Sequence, residues 1–230
     1  MAGIIAALDT TDVARAQAWA EQVRPHCGLI KLGLEFLLAN GMAGVRALGD
    51  VPVFLDTKLH DIPNTIAGAM RAVLPVRPRM VTVHASGGPA MIAAARREAE
   101  QAGAERPMIL AVTVLTSLDA AALAAIGVAD ALDVQVLRLA RMAMDAGADG
   151  LVCSAREVAE LRAALADEAV LVVPGIRPAG FPQGDQKRTM TPKEAAAAGA
   201  DWLVVGRPIT SAPDPAEAAA AIAAELAPAP

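Results

Sequence analysis

Apolar residues along this chain gather into short unbroken runs, separated by longer stretches in which apolar and polar positions alternate with helical spacing. The runs are Ile4 to Leu8, Gly28 to Leu32, Val51 to Leu55, Met80 to Val83, Met108 to Val114, Gly150 to Cys153, Val170 to Val173 and Trp202 to Val205. Continuous runs of this kind predict strands covered on both faces, as in a parallel sheet. Helix-patterned stretches lie between them, among them Val13 to Val23, Ile62 to Val73, Pro89 to Gln101, Val134 to Ala146, Ala155 to Leu165 and Pro192 to Ala198. Eight such alternations predict an α/β fold, a single-domain (β/α)8 TIM barrel over residues 1–230. A doubly wound open sheet is the alternative, but it usually has fewer strands, and no GxGxxG follows the first run. The alanine-rich stretches Ala195 to Ala198 and Ala218 to Ala221 read as small-residue helices packed on other elements. No Gly/Ser linker and no repeat of motif quality is visible.

In such a barrel the chemistry belongs at the C-terminal ends of the strands. Polar residues collect there. Asp9 follows the first run, Lys31 lies late in the second, Asp56 and Lys58 close the third and His84 the fourth. Thr116 follows the fifth, Pro174-Gly175-Ile176-Arg177 the seventh, and Gly206-Arg207 the eighth. The opposite strand ends show no comparable density of charge. The densest cluster is Asp56-Thr57-Lys58-Leu59-His60-Asp61. Residues two apart on a strand share a face, so Asp56 and Lys58 should project side by side. Asp61 cannot join them by strand geometry: its offset from Asp56 is odd, and Pro63 signals that the chain has left the sheet. Lys31, on the neighbouring strand, should bring its ammonium close to the pair, so that opposite charges alternate. A structural ion pair at a strand end is the bland alternative.

The connection from Pro174 to Pro192 contains Arg177, Gly180, Gly184, Gln186, Lys187 and Arg188. It is long for a strand-to-helix loop, which predicts a lid or binding loop. Thr191 is placed to cap the helix that starts at Pro192. The glycine turn and arginine after the last strand suit a phosphate, whose usual position in this fold is at the last two strands. Gly-Arg-Pro alone is equally an ordinary turn with a solvated arginine. Asp9 reads either as a helix cap or as a ligand for sugar hydroxyls. His60 and His84 read as hydrogen-bonded structural residues, because three histidines without His/Cys spacing give no zinc pattern.

Composition narrows the field. The chain has 230 residues, 55% hydrophobic and 20% charged, with a formal net charge of -5. Neither the net charge nor any local Lys/Arg run supplies a footprint for nucleic acid or a membrane surface. Aromatic residues make up 2% with no tyrosine, which removes base stacking as a recognition device. No apolar stretch is long enough to span a bilayer. The opening MAGIIAALDTTD lacks a basic region and reads as a first strand, not a signal peptide. Cys27 and Cys153 form no framework, read as packed small hydrophobes, and are compatible with a reducing cytoplasm.

FLDTKLHDIPNT at 54–65, VHASGG at 83–88, VTVLTS at 112–117, PGIRP at 174–178, GDQKR at 184–188 and VVGRPI at 204–209 together resemble the orotidine 5'-phosphate decarboxylase family of the bacterial type. The resemblance runs from Leu8-Asp9 through Ile30-Lys31-Leu32-Gly33 to Arg207. It implies a decarboxylation of orotidine 5'-phosphate to UMP and carbon dioxide that needs no cofactor and no metal, in a homodimer with shared sites. It further implies Lys58 as the proton donor to C6, flanked by Asp56 and Lys31. Asp61, with Ile62 and Thr65, would enter the neighbouring subunit's site. Asp9 and Lys31 would contact ribose, Thr116 or its neighbour Ser117 the pyrimidine, and Gln186, Gly206 and Arg207 the phosphate, with Arg177 nearby. The 174–192 loop would close over that phosphate. Magnesium-dependent sugar-phosphate decarboxylases and synthases of the same suprafamily carry an acid where this chain has Lys31, which a metal site would need. A non-catalytic nucleotide-phosphate binding barrel is the reading from a different class.

Overall fold

The computed structural model describes residues 2–179, 181 and 190–226. The elements run β1 Gly3–Ala7, α1 Val13–Val23, β2 Leu29–Leu32, α2 Leu34–Ala47, β3 Val53–Leu59, α3 Pro63–Val73, β4 Met80–His84, α4 Pro89–Glu100 and β5 Met108–Val112. They continue α5 Ala120–Ala125, α6 Leu132–Asp145, β6 Gly150–Val152, α7 Val158–Leu165, β7 Val170–Val173, α8 Pro192–Ala197, β8 Trp202–Val205, α9 Arg207–Thr210 and α10 Pro215–Leu226. Every strand pairs in parallel with its sequence neighbours, and β8 pairs with β1 to close the barrel. The expected (β/α)8 architecture is therefore the observed one.

Strand alternation produces two cores. Ile5, Ala7, Leu29, Phe54, Met80, Leu110, Val172 and Val204 fill the barrel interior. Their sequence neighbours, such as Ala6, Ile30, Leu55, Val81 and Leu203, face outward into the layer beneath the helices. Each large apolar side chain so buried contributes about 1.5–3 kcal/mol. Parity then decides what stands above the interior layer: two residues beyond Ala7, Leu29, Phe54, Met80 and Val204 come Asp9, Lys31, Asp56, Thr82 and Gly206, all but the buried Thr82 lining the mouth. At the opposite end, the ring of Trp202 covers Gly3 and Gly28. A Cβ on Gly3 would stand 2.4 Å from that ring, which leaves it no room, and one on Gly28 would stand 3.0 Å away, in tight contact.

Three expectations are corrected here. First, β3 spans Val53–Leu59, not Val51 to Leu55. Pro52 has no N–H to give a ladder and contributes only its carbonyl, which accepts from Ile30 N at 3.0 Å. Second, the N-terminal strand ends are charged. Asp149 is held bidentately by Arg106 at 2.7 and 2.9 Å and by Arg96 at 2.7 Å, and Arg162 donates to Asp201 at 2.6 Å. Third, a short repeat exists: Ala-Gly-Ala-Asp occurs at 146–149 and 198–201. In both copies the glycine takes a positive φ, 95° at Gly147 and 106° at Gly199, to end its helix. In both, the aspartate caps the preceding strand: Asp149 Oδ2 accepts from Ile109 N at 2.8 Å and Asp201 Oδ2 from Leu171 N at 2.7 Å. These aspartates satisfy backbone N–H groups at the barrel floor.

Helices start at Val13, Pro89 and Pro192 as expected, and at Pro63, Leu132 and Val158 where Ile62, Val134 and Ala155 were expected. Thr191 caps α8 in a reciprocal box with Glu194, as expected. Asp12, not Asp9, caps α1 by accepting from Arg15 N at 3.1 Å, which removes the capping reading of Asp9. Not among the expected helices, α2 is broken at Gly41, where φ is 58°.

Candidate active site

A cleft of about 610 Å³ opens at the C-terminal mouth of the barrel. Its polar wall is Asp9, Lys31, Asp56 and Lys58; Val112, Val114, Val152 and Pro174 form an apolar wall; Gly206 and Arg207 lie at its rim. Four charges make one chain across β1, β2 and β3. Asp9 Oδ1 is 3.3 Å from Lys31 Nζ, Lys31 Nζ is 3.5 Å from Asp56 Oδ2, and Asp56 Oδ2 is 2.7 Å from Lys58 Nζ. The central members are well covered, at 11% side-chain exposure for Lys31 and 12% for Asp56, so solvent screens them weakly. Burial works to raise the Asp56 pKa, yet Lys31, Lys58 and the hydrogen bonds from Lys58 and Thr82 outweigh it and hold the carboxyl below its ordinary value.

Asp56 and Lys58 meet as expected, but not by plain strand alternation. Leu55 is opposite Val81 and Leu59 is opposite Val83, so Asp56, Thr57 and Lys58 all face the single residue Thr82. This bulge turns Lys58 into the left-handed region with φ 47°. For a residue other than glycine that conformation costs about 1–3 kcal/mol and persists only where neighbours over-determine it. Here the neighbours are visible. Lys58 N donates to Thr82 Oγ1 at 2.9 Å, Thr82 Oγ1 donates to Asp56 Oδ1 at 3.0 Å, and Thr57 Oγ1 donates to the Thr82 carbonyl at 3.0 Å. Thr82 is fully buried. It is absent from the sequence-derived site, although a hydroxyl inside the apolar run Met80 to Val83, in phase with the interior residue Met80, is a readable signal.

Asp61 stands apart from this chain of charges. It is exposed, its Oδ1 accepts from Ile62 N at 2.7 Å, and Ile62 and Thr65 beside it are exposed too, Ile62 at 67%. Thr116 lines the cleft, whereas Ser117 is exposed and does not. Arg177 lines the cleft while 8% exposed, its Nη1 donating to the Ile176 carbonyl at 2.8 Å and its guanidinium 5.9 Å from the Phe181 ring. The two ends of the long connection are tied together, since Ile176 bridges Met190 and Arg177 N donates to the Met190 carbonyl at 2.9 Å. Gln186, and with it Gly180, Gly184, Lys187 and Arg188, lies outside the described residues. His60 and His84, read from the sequence as hydrogen-bonded structural residues, pack on each other with ring centroids 5.3 Å apart and planes tilted by 33°. Burial, together with His60 and Lys58, pushes the His84 pKa down against the opposing pull of Asp56. Among the described residues no group of three or more His, Cys, Asp or Glu is placed to hold a metal ion. Burial pushes the Cys27 thiol up to about 12, as a packed cysteine requires, whereas Cys153, also buried, lines the cleft.

A closed parallel barrel with its charged cleft at the C-terminal strand ends defines an enzyme of the (β/α)8 class. Within that class, the chain belongs to the Orotidine 5'-phosphate decarboxylase / HUMPS family, whose description matches residues 3–222. Over 228 residues it is 56% identical to a Gluconobacter oxydans protein named orotidine 5'-phosphate decarboxylase, covering 97% of each chain. A protein of that name from Anaeromyxobacter is 55% identical, again over 97% of each. The crystal structure of orotidine 5'-phosphate decarboxylase from Lactobacillus acidophilus superposes with a TM-score of 0.87 at 36% identity, covering 98% of this chain and 99% of that one.

Proposed function

We propose that this chain decarboxylates orotidine 5'-phosphate to UMP and carbon dioxide, as a cytoplasmic homodimer of pyrimidine biosynthesis that uses neither cofactor nor metal. The alternating chain Asp9, Lys31, Asp56, Lys58 at the mouth carries the reading. Loss of carbon dioxide leaves an electron pair on C6 that the ring cannot delocalise, so stabilisation must be electrostatic and preorganised. Lys58 supplies a cation at that carbon and then the proton. Asp56, kept ionised by its two lysines, repels the departing carboxylate by about 4 kcal/mol for unit charges ~4 Å apart at an effective dielectric of 20. The largest enzymatic accelerations need about 20 kcal/mol or more, so stabilisation of the transition state and binding energy from the phosphate must supply most of it.

Asp9 and Lys31 are assigned to ribose, Thr116 to the pyrimidine, and Gly206, Arg207, Gln186 and Arg177 to the phosphate end. The 174–192 loop closes over that phosphate, and the bridge of Ile176 to Met190 supports this by bringing its two ends together beside Arg177. Asp61, Ile62 and Thr65 reach the partner's cleft; their joint exposure on one edge of the mouth supports this. Lys31 also weighs against a magnesium-dependent reaction. Its ammonium stands between Asp9 and Asp56, in the space a divalent ion bridging those acids would need.

The test is the loss of orotate-ring absorbance when purified protein is mixed with orotidine 5'-phosphate. Turnover should survive a chelator, and Lys58→Ala should lower it at least about 10³-fold. Tight UMP binding with no turnover by the wild type would replace this reading with the binding-barrel one.

A further inference from the structure

We infer that Thr82 is a positioning residue for Lys58: its hydroxyl locks the β3 bulge so that the Lys58 amine and the Asp56 carboxylate stay in contact at the mouth. Three observations carry it. The bulge gives Asp56, Thr57 and Lys58 one shared partner on β4, so whatever stands at position 82 sets the spacing of all three. The Thr82 hydroxyl is used in both senses, donating to Asp56 Oδ1 and accepting from Lys58 N. Without it, the Lys58 N–H and one Asp56 oxygen would lose partners at a buried position, and the left-handed backbone of Lys58 would lose the bond that holds it.

The arrangement calls for a hydroxyl and not merely for a side chain of this volume. Valine fills the same space but neither donates nor accepts; serine does both. The bond from Lys58 N to Thr82 Oγ1, 2.9 Å long, ties the left-handed residue itself to β4. Thr57 does not substitute, because its own hydroxyl is turned to the Thr82 carbonyl. Misplacement of a reacting group by about 1 Å costs on the order of 10²-fold in rate without a matching loss of binding.

This inference rests on the reading of Lys58 as the proton donor, and the experiment separates the two. Wild type, Thr82→Val, Thr82→Ala and Thr82→Ser are compared in orotidine 5'-phosphate turnover, and wild type and Thr82→Val are crystallised. In Thr82→Val, kcat should fall at least about tenfold with KM within about threefold of wild type. Thr82→Ser should restore kcat to within about threefold of wild type. The crystal structure of Thr82→Val should show Lys58 out of the left-handed region or its amine withdrawn from Asp56. Thr82→Ala carries the same kinetic test if burying the extra methyl beside a carboxylate prevents the valine variant from folding. Wild-type kcat in the valine or alanine variant, a serine variant as slow as valine, or an unmoved Lys58 would each overturn the role of Thr82. A wild-type protein that fails to turn over orotidine 5'-phosphate defeats the decarboxylase reading instead, while the Lys58 geometry still decides the role assigned to Thr82.

Discussion

At the scale of single residues, the mouth of this barrel keeps charge in the state its chemistry needs. Asp56 is held below the ordinary carboxyl value of 3.8, so its ion pairs stabilise the fold fully above that pH and are lost as pH falls through the depressed value. His84 shifts stability in the same direction, at higher pH. Its pKa is lowered from 6.5, so the unfolded chain binds a proton there before the folded one does. Stability should therefore decline as pH drops below about 6.5, with this residue contributing at most about 1.4 kcal/mol per pH unit. Denaturant midpoints of wild type and His84→Gln between neutral and mildly acidic pH check it, and an unchanged slope in the variant would remove His84 as the cause. The charged residues were legible because each is an ion placed where an apolar strand ends. The conformation of Lys58 was not, since a two-residue excess of β3 over β4 shows only once the two strands are paired.

At the scale of elements, the two Ala-Gly-Ala-Asp segments do the same work at two places on the barrel floor. Each ends a helix with a left-handed glycine and returns an aspartate to the N–H of the strand before. Asp149, gripped by two arginines, should matter more than Asp201, which has one and is more exposed. Asp149→Ala should cost about 2–4 kcal/mol, because Arg96, Arg106 and Ile109 N lose their shared acceptor. Asp201→Ala should cost less, and thermal unfolding of both variants gives the ranking. Eight strands and most helices could be read from apolar periodicity alone. The floor network could not, because four small and acidic residues between a helix and a strand look like any turn until the neighbouring strand's free N–H is located.

At the scale of the whole molecule, the assignment of Asp61 to a partner's cleft makes a quantitative demand. Neither Lys58→Ala nor Asp61→Ala alone should turn over substrate appreciably. Mixed in equal amounts and allowed to exchange chains, they should recover about one quarter of wild-type activity, since half the dimers are mixed and one of their two sites is intact. No recovery despite chain exchange would place Asp61 in its own chain's site or outside catalysis. Ile62→Asp should weaken self-association, read by sedimentation, because an apolar side chain at 67% exposure is given a charge. Arg207→Ala and Gln186→Ala should each lower kcat/KM, as remote phosphate binding requires.

The ring of Trp202 that lies on Gly3 and Gly28 also makes this protein optically convenient. Trp19 on α1 is the other indole, tyrosine is absent, and neither tryptophan borders the cleft. Ultraviolet emission from the two indoles thus reports on the underside and flank of the barrel and not on the cleft. Unfolding can therefore be followed by emission from side chains that stand away from the mouth.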